Sequence, residues 1–303
     1  METSASVWSI TMLPPAAIAL YYGDGELSPF LLSFTWTLAA GFFFWLPVKN
    51  VHRELRLRDG FIIVVLFWFV LGFSGAVPFI LSDRPHMPIS ASVFESMSGL
   101  TTTGATVLIG LDTLPHAILY YRQQLQWLGG MGVIVLAIAI LPMLGIGGMQ
   151  LYRAETPGPF KDEKIAPRIA TCARSFWLLY IALTVVCAFG YWLAGMTGFD
   201  ALAHSLSTVS TGGFSTHDAS MAYFHSPAIE MVCIVFMTLG GVNFGVHYMA
   251  LVNYRFSSYW RDVEVRSYLI FLLVTAALVS SRATVCLDAA PIPSAEPVGS
   301  LSR

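Results

Sequence analysis

An all-α integral membrane fold is predicted: two lead-in helices, then parallel repeats of helix, pore loop and helix. Three observations predict it. Charged residues make up 11% of the 303 residues and hydrophobic ones 56%, where a soluble domain carries about 25% charge. Seven apolar segments follow one another, near 7–22, 29–48, 60–81, 120–142, 175–195, 227–252 and 267–281. Between them a polar segment occurs twice. Ser98-Gly99-Leu100-Thr101-Thr102-Thr103-Gly104-Ala105-Thr106 is answered 109 positions later by Ser207-Thr208-Val209-Ser210-Thr211-Gly212-Gly213-Phe214-Ser215.

A membrane span needs about 20 residues, and the second to sixth segments meet that length. The lead-in pair falls within residues 1–50. Its first member is short and carries Pro14-Pro15, which fits a kinked span or one whose start precedes this chain. Residues 51–152 form a first unit and 153–254 a second. Phe67-Trp68 matches Phe176-Trp177 at a spacing of 109, and Leu128-Gly129-Gly130 matches Leu239-Gly240-Gly241 at 111. Each unit holds a segment of about ten residues, near 90–100 and 199–209, too short to span and suited to a re-entrant half-helix. Residues 255–281 start a third unit whose apolar part is too short to span, and 282–303, with Pro291, Pro293 and Pro297, read as a disordered tail.

The loops between the long segments set the orientation. Twelve Lys and Arg residues lie in 49–60, 153–174 and 253–266, and only Arg84 and Arg122 lie in the opposite loops. Basic loops stay in the cytoplasm, so the N-terminus is expected inside and both Ser/Thr/Gly loops open outward. Both units then share one orientation, related by an axis along the membrane normal.

A Ser/Thr/Gly stretch at membrane depth must line water or be buried in protein. A half-helix entering from outside aims its C-terminal carbonyls, about half a negative charge, toward the pore. Gly104 and Gly213 permit backbone angles that a side chain forbids. Thr101, Thr102, Thr103, Ser210 and Thr211, with Gly212 between, supply hydroxyls and carbonyls to hold the loop or to touch a cation. The absence of a carboxylate in either loop suits a large monovalent ion better than Ca²⁺ or Mg²⁺. Close helix packing is the alternative for such small-residue clusters, and duplication in matching contexts argues against it.

Other candidates carry plainer readings. Glu95 and His204, in the two half-helices, are expected to bond within their surroundings, with attraction of ions as the alternative. His217 and Asp218 lie just outside the second loop and are expected in a solvated loop, with the gathering of cations as the alternative. Asn243 and His247 are expected to make polar contacts between helices. Gly145-Ile146-Gly147-Gly148 lacks the Lys-Ser/Thr of a phosphate loop. Cys172, Cys187, Cys233 and Cys286 have no metal-site spacing. No hydrolase or metalloprotease motif points to an enzyme, no cofactor is expected, and no basic-aromatic patch points to nucleic acid.

At this point the residues resemble a family. The stretch Phe94 to Thr106, then Gln126-Trp127-Leu128-Gly129-Gly130-Met131-Gly132, then Leu151 to Pro159, then Ser207 to Phe214, resembles the membrane subunit of Trk/Ktr-type potassium uptake systems, in the TrkH branch. The resemblance implies a potassium filter at Thr101, Thr102, Thr103, Gly104, Ser210, Thr211, Gly212 and Gly213. It implies the bacterial inner membrane, a homodimer with one pore per protomer, and a cytosolic nucleotide-binding regulatory subunit. The family has four pore units around one ion path. This chain holds two and the start of a third, so a truncated chain that conducts nothing by itself is expected.

Overall fold

The computed structural model describes residues 8–46, 57–140, 165–252 and 257–289. The basic loops at 49–56 and 153–164, the motif at Leu151 to Pro159, Gly145 to Gly148 and the residues after 289 lie outside them. All regular structure among the described residues is helical. The helices are α1 (Leu13–Tyr22), α2 (Leu27–Trp45), α3 (Leu57–Leu81), α4 (Ile89–Leu100), α5 (His116–Ile140), α6 (Ile165–Leu193), α7 (Gly198–Val209), α8 (Pro227–Gly241), α9 (Phe244–Val252), α10 (Ser257–Arg261) and α11 (Val263–Ala289). The chain forms two compact units, residues 1–241 and 242–303.

In the first unit, α1 ends where Gly23 turns left-handed at φ 64° and donates its N–H to Ala19 O, the αL stop that glycine favours. Asp24 then accepts from Glu26 N through one oxygen and from Ala117 N, at the start of α5, through the other. The lead-in turn therefore caps a distant helix. Phe30 of α2 and Phe79 of α3 pack edge-on or tilted against Tyr121 of α5, whose hydroxyl donates to Gly75 O at 2.9 Å. Trp127 of α5 donates to Thr184 Oγ1 of α6 and accepts from Tyr180 Oη. Helices in lipid gain little from the hydrophobic effect, so such packing and polar bonds hold them together. Large apolar side chains, among them Phe43, Val70, Leu193 and Trp192, are exposed on the outer faces of these helices.

The packing order repeats. Helix α3 packs on α4 and α5, and α4 on α5; α6 packs on α7 and α8, and α7 on α8. Helix α5 also packs on α6 and α7, joining one set to the next. The half-helices α4 and α7 have 12 residues each, about 18 Å at 1.5 Å per residue and so about half a bilayer core. Thr197 caps α7, its hydroxyl accepting from Asp200 N.

Among the described residues, Ala173–Leu193 and Val263–Ser281 are long and apolar enough to cross a membrane, and Pro227–Gly241 with Phe244–Leu251 is a third if counted as one broken span. Leu27–Phe43 and Val65–Leu81 are shorter apolar helices.

Two expectations need correction. The sixth segment, expected as one helix over 227–252, is two, because Asn243 Oδ1 accepts from Gly245 N and caps α9. The seventh segment, expected to be too short, is a helix from Val263 to Ala289. Its first turn carries Glu264 and Arg266, which the apolar run over 267–281 omits, and its end covers 282–289, expected as disordered. In this second unit the polar contacts expected of Asn243 and His247 are to Glu264 Oε2 at 3.2 Å and Tyr259 Oη at 2.7 Å.

Candidate ion pathway

The two Ser/Thr/Gly loops carry the same hydrogen bonds at the same spacing. After α4, Thr101 N donates to Met97 O (2.9 Å), Thr102 N to Gly99 O (3.0 Å), Thr103 N to Ser98 O (3.0 Å) and Ser98 Oγ to Ala105 O (2.5 Å). After α7, Ser210 N donates to Leu206 O (3.4 Å), Thr211 N to Thr208 O (3.0 Å), Gly212 N to Ser207 O (2.9 Å) and Ser207 Oγ to Phe214 O (2.7 Å). Backbone angles repeat as well: φ is 53° at Thr102 and 54° at Thr211, then 75° at Gly104 and 84° at Gly213. A non-glycine residue at positive φ is uncommon, and here it recurs at both matched positions.

The hydroxyls of Thr101 and Ser210 hold the loops. Thr101 Oγ1 donates to Met97 O and lies 2.8 Å from Thr103 Oγ1, while Ser210 Oγ is buried and within reach of Leu206 O and Ser207 O. Thr101, Thr103, Thr211 and Gly213 are exposed, Thr102 and Gly104 half-buried, and Gly212 buried. Among the described residues, no donor reaches the backbone carbonyls of Thr101, Thr102, Thr103, Gly104, Ser210, Thr211, Gly212 or Gly213. Among the described residues, then, these carbonyls follow the C-terminal ends of two half-helices without accepting a hydrogen bond, and neutral dipoles of this kind are the chemistry that can replace a cation's water.

The loops touch each other. A Cβ on Gly104 would lie 2.1 Å from Gly212 O. A Cβ on Gly213 meets no atom within 4 Å among the described residues. The matched glycines of α5 and α8 seat the half-helices: a Cβ on Gly129 would lie 1.8 Å from Leu100 O, and one on Gly240 2.6 Å from Val209 O. Gly129→Ala is therefore expected to deplete the protein from the membrane. Gly132→Ala, whose Cβ would meet only the Trp68 ring at 3.6 Å, is expected to leave it there. Membrane abundance of the two variants checks this.

Glu95 and His204 do bond within their surroundings. Glu95 Oε1 accepts from Arg122 Nε at 2.8 Å, and both side chains are buried. Its carboxylate also accepts from Thr106 Oγ1 and Val107 N. At the matched position, His204 Nδ1 faces Asp200 O at 2.9 Å and Nε2 faces Ser215 Oγ at 3.0 Å.

Outside the loops, His217 and Asp218 do more than sit in solvent. Asp218 Oδ1 accepts from Gly110 N and Leu111 N, and His217 Nδ1 pairs with Asp112 Oδ1, so the segment after the second loop is tied to the segment after the first. The hydrogen bond from His217 holds the Asp112 carboxyl below the usual carboxylate range. A lowered carboxyl contributes stability above its ordinary pKa, about 4, and loses it as pH falls through the folded value. Asp112→Asn is expected to lower the thermal midpoint at pH 7, with the gap to the parent closing as pH drops below about 4. A gap that persists in acid contradicts this.

Sequence reasoning missed Arg122 and Gln126. Arg122 was read only as one of two basic residues in outer loops, yet it is fully buried. The available signal was an ionisable residue within an apolar segment, followed by Gln123, Gln124 and Gln126. Such a residue is a functional candidate by default.

Two 12-residue half-helices, each followed by a Ser/Thr/Gly loop with the same hydrogen bonds and the same positive-φ positions, define a pore-loop membrane protein. The chain belongs to the TrkH family, described as cation transport proteins, whose family model matches residues 27–290. The chain is 54% identical over 276 residues to the Trk system potassium uptake protein TrkH of Salmonella typhimurium, covering 90% of this chain and 57% of that one. It is 43% identical over 267 residues to the potassium uptake protein TrkG of Escherichia coli, covering 88% and 55%. The crystal structure of the potassium transporter TrkH from Vibrio parahaemolyticus matches with TM-score 0.81 at 49% identity, covering 92% of this chain and 56% of that one. The chain spans about half the length of the curated relatives it matches.

Proposed function

We propose that this chain contributes to potassium uptake across the bacterial inner membrane, and that Thr101, Thr102, Thr103, Gly104, Ser210, Thr211, Gly212 and Gly213 line two sides of the filter. The observation that carries this reading is the duplicated pair of loops with unpaired carbonyls. Neutral carbonyl and hydroxyl dipoles suit a weakly hydrated monovalent cation. Potassium is the transported substrate, and the reading requires no cofactor. The division at residues 50, 152 and 254 into a lead-in pair, two pore units and the start of a third belongs to the same proposal. So do a cytoplasmic N-terminus, a homodimeric assembly and a cytosolic nucleotide-binding regulatory partner.

A non-conducting role for the 303 residues alone is the second reading, motivated by the chain spanning about half the length of the relatives it matches. Two loops supply only part of a coordination shell, and unpaired polar backbone facing lipid costs several kcal/mol per group. Growth rescue at low K⁺ tests both readings. The host lacks every other Trk or Ktr membrane subunit. It receives either these 303 residues or the same sequence joined to the remaining length of the Salmonella relative. Rescue is expected from the joined chain only. No rescue from the joined chain rejects the potassium reading, and rescue by the 303 residues rejects the second.

A further inference from the structure

One face of α5 touches both loops at successive turns. Arg122 reaches the first loop through Nε to Glu95 Oε1 and Nη2 to Thr106 Oγ1, and the second through Nη1 to Ser215 O at 3.1 Å. Its guanidinium also lies 4.3 Å from the centre of the Phe214 ring. Four residues on, Gln126 Oε1 accepts from Phe214 N at 3.1 Å. The Gln126 amide lies against Gly212 so closely that a Cβ there would be 2.3 Å from Gln126 Cδ. Residues four apart share a helix face, so one rigid element grips two loops that are 109 positions apart in sequence.

The matched half-helix and outer helix of the second repeat carry different residues. Positions matching Glu95, Arg122 and Gln126 hold His204, Cys233 and Met237. The planar guanidinium offers five donors in fixed geometry, and Arg122 divides its bonds between the loops. Removing either contact frees the second loop to shift against the first while the hydrogen bonds within each loop remain.

We infer that Arg122 and Gln126 are positioning residues: they set the spacing between the two filter loops, and through it the preference for potassium over sodium. This rests on the potassium reading. Filter carbonyls discriminate by the number and placement of dipoles around the ion, so a changed spacing alters discrimination before it alters the amount of protein.

The test uses the joined chain described above and two variants. Gln126→Met imports the residue of the second unit and removes the acceptor for Phe214 N. Glu95→Gln with Arg122→Gln removes both charges together, so that neither is left buried alone. Each variant is expected to reach the membrane at the parental level with its K⁺/Na⁺ uptake ratio lowered about tenfold, the scale of one lost buried hydrogen bond. Parental ratios in both variants would overturn the inference, as would loss of both from the membrane, which would mark the contacts as purely structural. A joined parent without potassium uptake would instead overturn the potassium reading on which the inference stands.

Discussion

Gly104→Ala, in the joined chain, is expected to abolish selective potassium uptake while leaving the protein in the membrane. Two effects act together. The added Cβ would sit 2.1 Å from the Gly212 carbonyl oxygen, a backbone atom that no rotamer change can move. The residue is also held at φ 75°, where an L side chain costs about 1–2 kcal/mol. Relief requires the two loops to separate, and the carbonyls of both move with them. Gly213→Ala carries a similar conformational cost at φ 84° but meets no described atom, so its effect is expected to be the smaller of the two. Uptake of K⁺ and Na⁺, normalised to protein in the membrane, checks both. Unchanged K⁺/Na⁺ discrimination in the Gly104 variant would return these loops to a packing role.

Glu95→Ala is expected to be the most damaging single change to stability. It leaves the Arg122 guanidinium buried beside an empty carboxylate position and removes the acceptor for Thr106 Oγ1 and Val107 N. Breaking a buried pair by removing one partner costs about 3–5 kcal/mol, whereas replacing both partners is often neutral. The single variant is expected to be depleted from the membrane. Adding Arg122→Met should restore most of the protein without restoring selectivity. Thermal midpoints of the detergent-solubilised parent, single and double variants measure the difference. A double variant no more stable than the single one contradicts the argument.

Much of the fold was legible in the sequence because lipid imposes a strict composition. Apolar runs marked most helices to within a few residues, and the polar repeat marked both half-helices. The errors fell where charge or capping overrides hydropathy. Glu264 and Arg266 hid the first turn of α11, and Asn243 ended an apolar run that looked continuous. The site was legible where chemistry repeats: matched glycines, matched serines and threonines. Arg122 and Gln126 were legible only as polar residues within an apolar segment, because their partners in the second loop lie 93 and 88 positions away. No local pattern announces such a contact. His217 and Asp218 looked solvated for the same reason, since their partners, Asp112, Gly110 and Leu111, lie 105 to 108 positions away, after the first loop.

In the proposed pathway the carbonyls of these two loops face the permeating ion. Anomalous diffraction from crystals of the joined chain grown in Rb⁺ or Tl⁺ tests it most directly. Anomalous density is expected between the carbonyls of Thr102 to Gly104 on one side and Thr211 to Gly213 on another, and its loss in the Gly104→Ala variant. Density confined to other parts of the molecule, with these carbonyls facing protein, would contradict it.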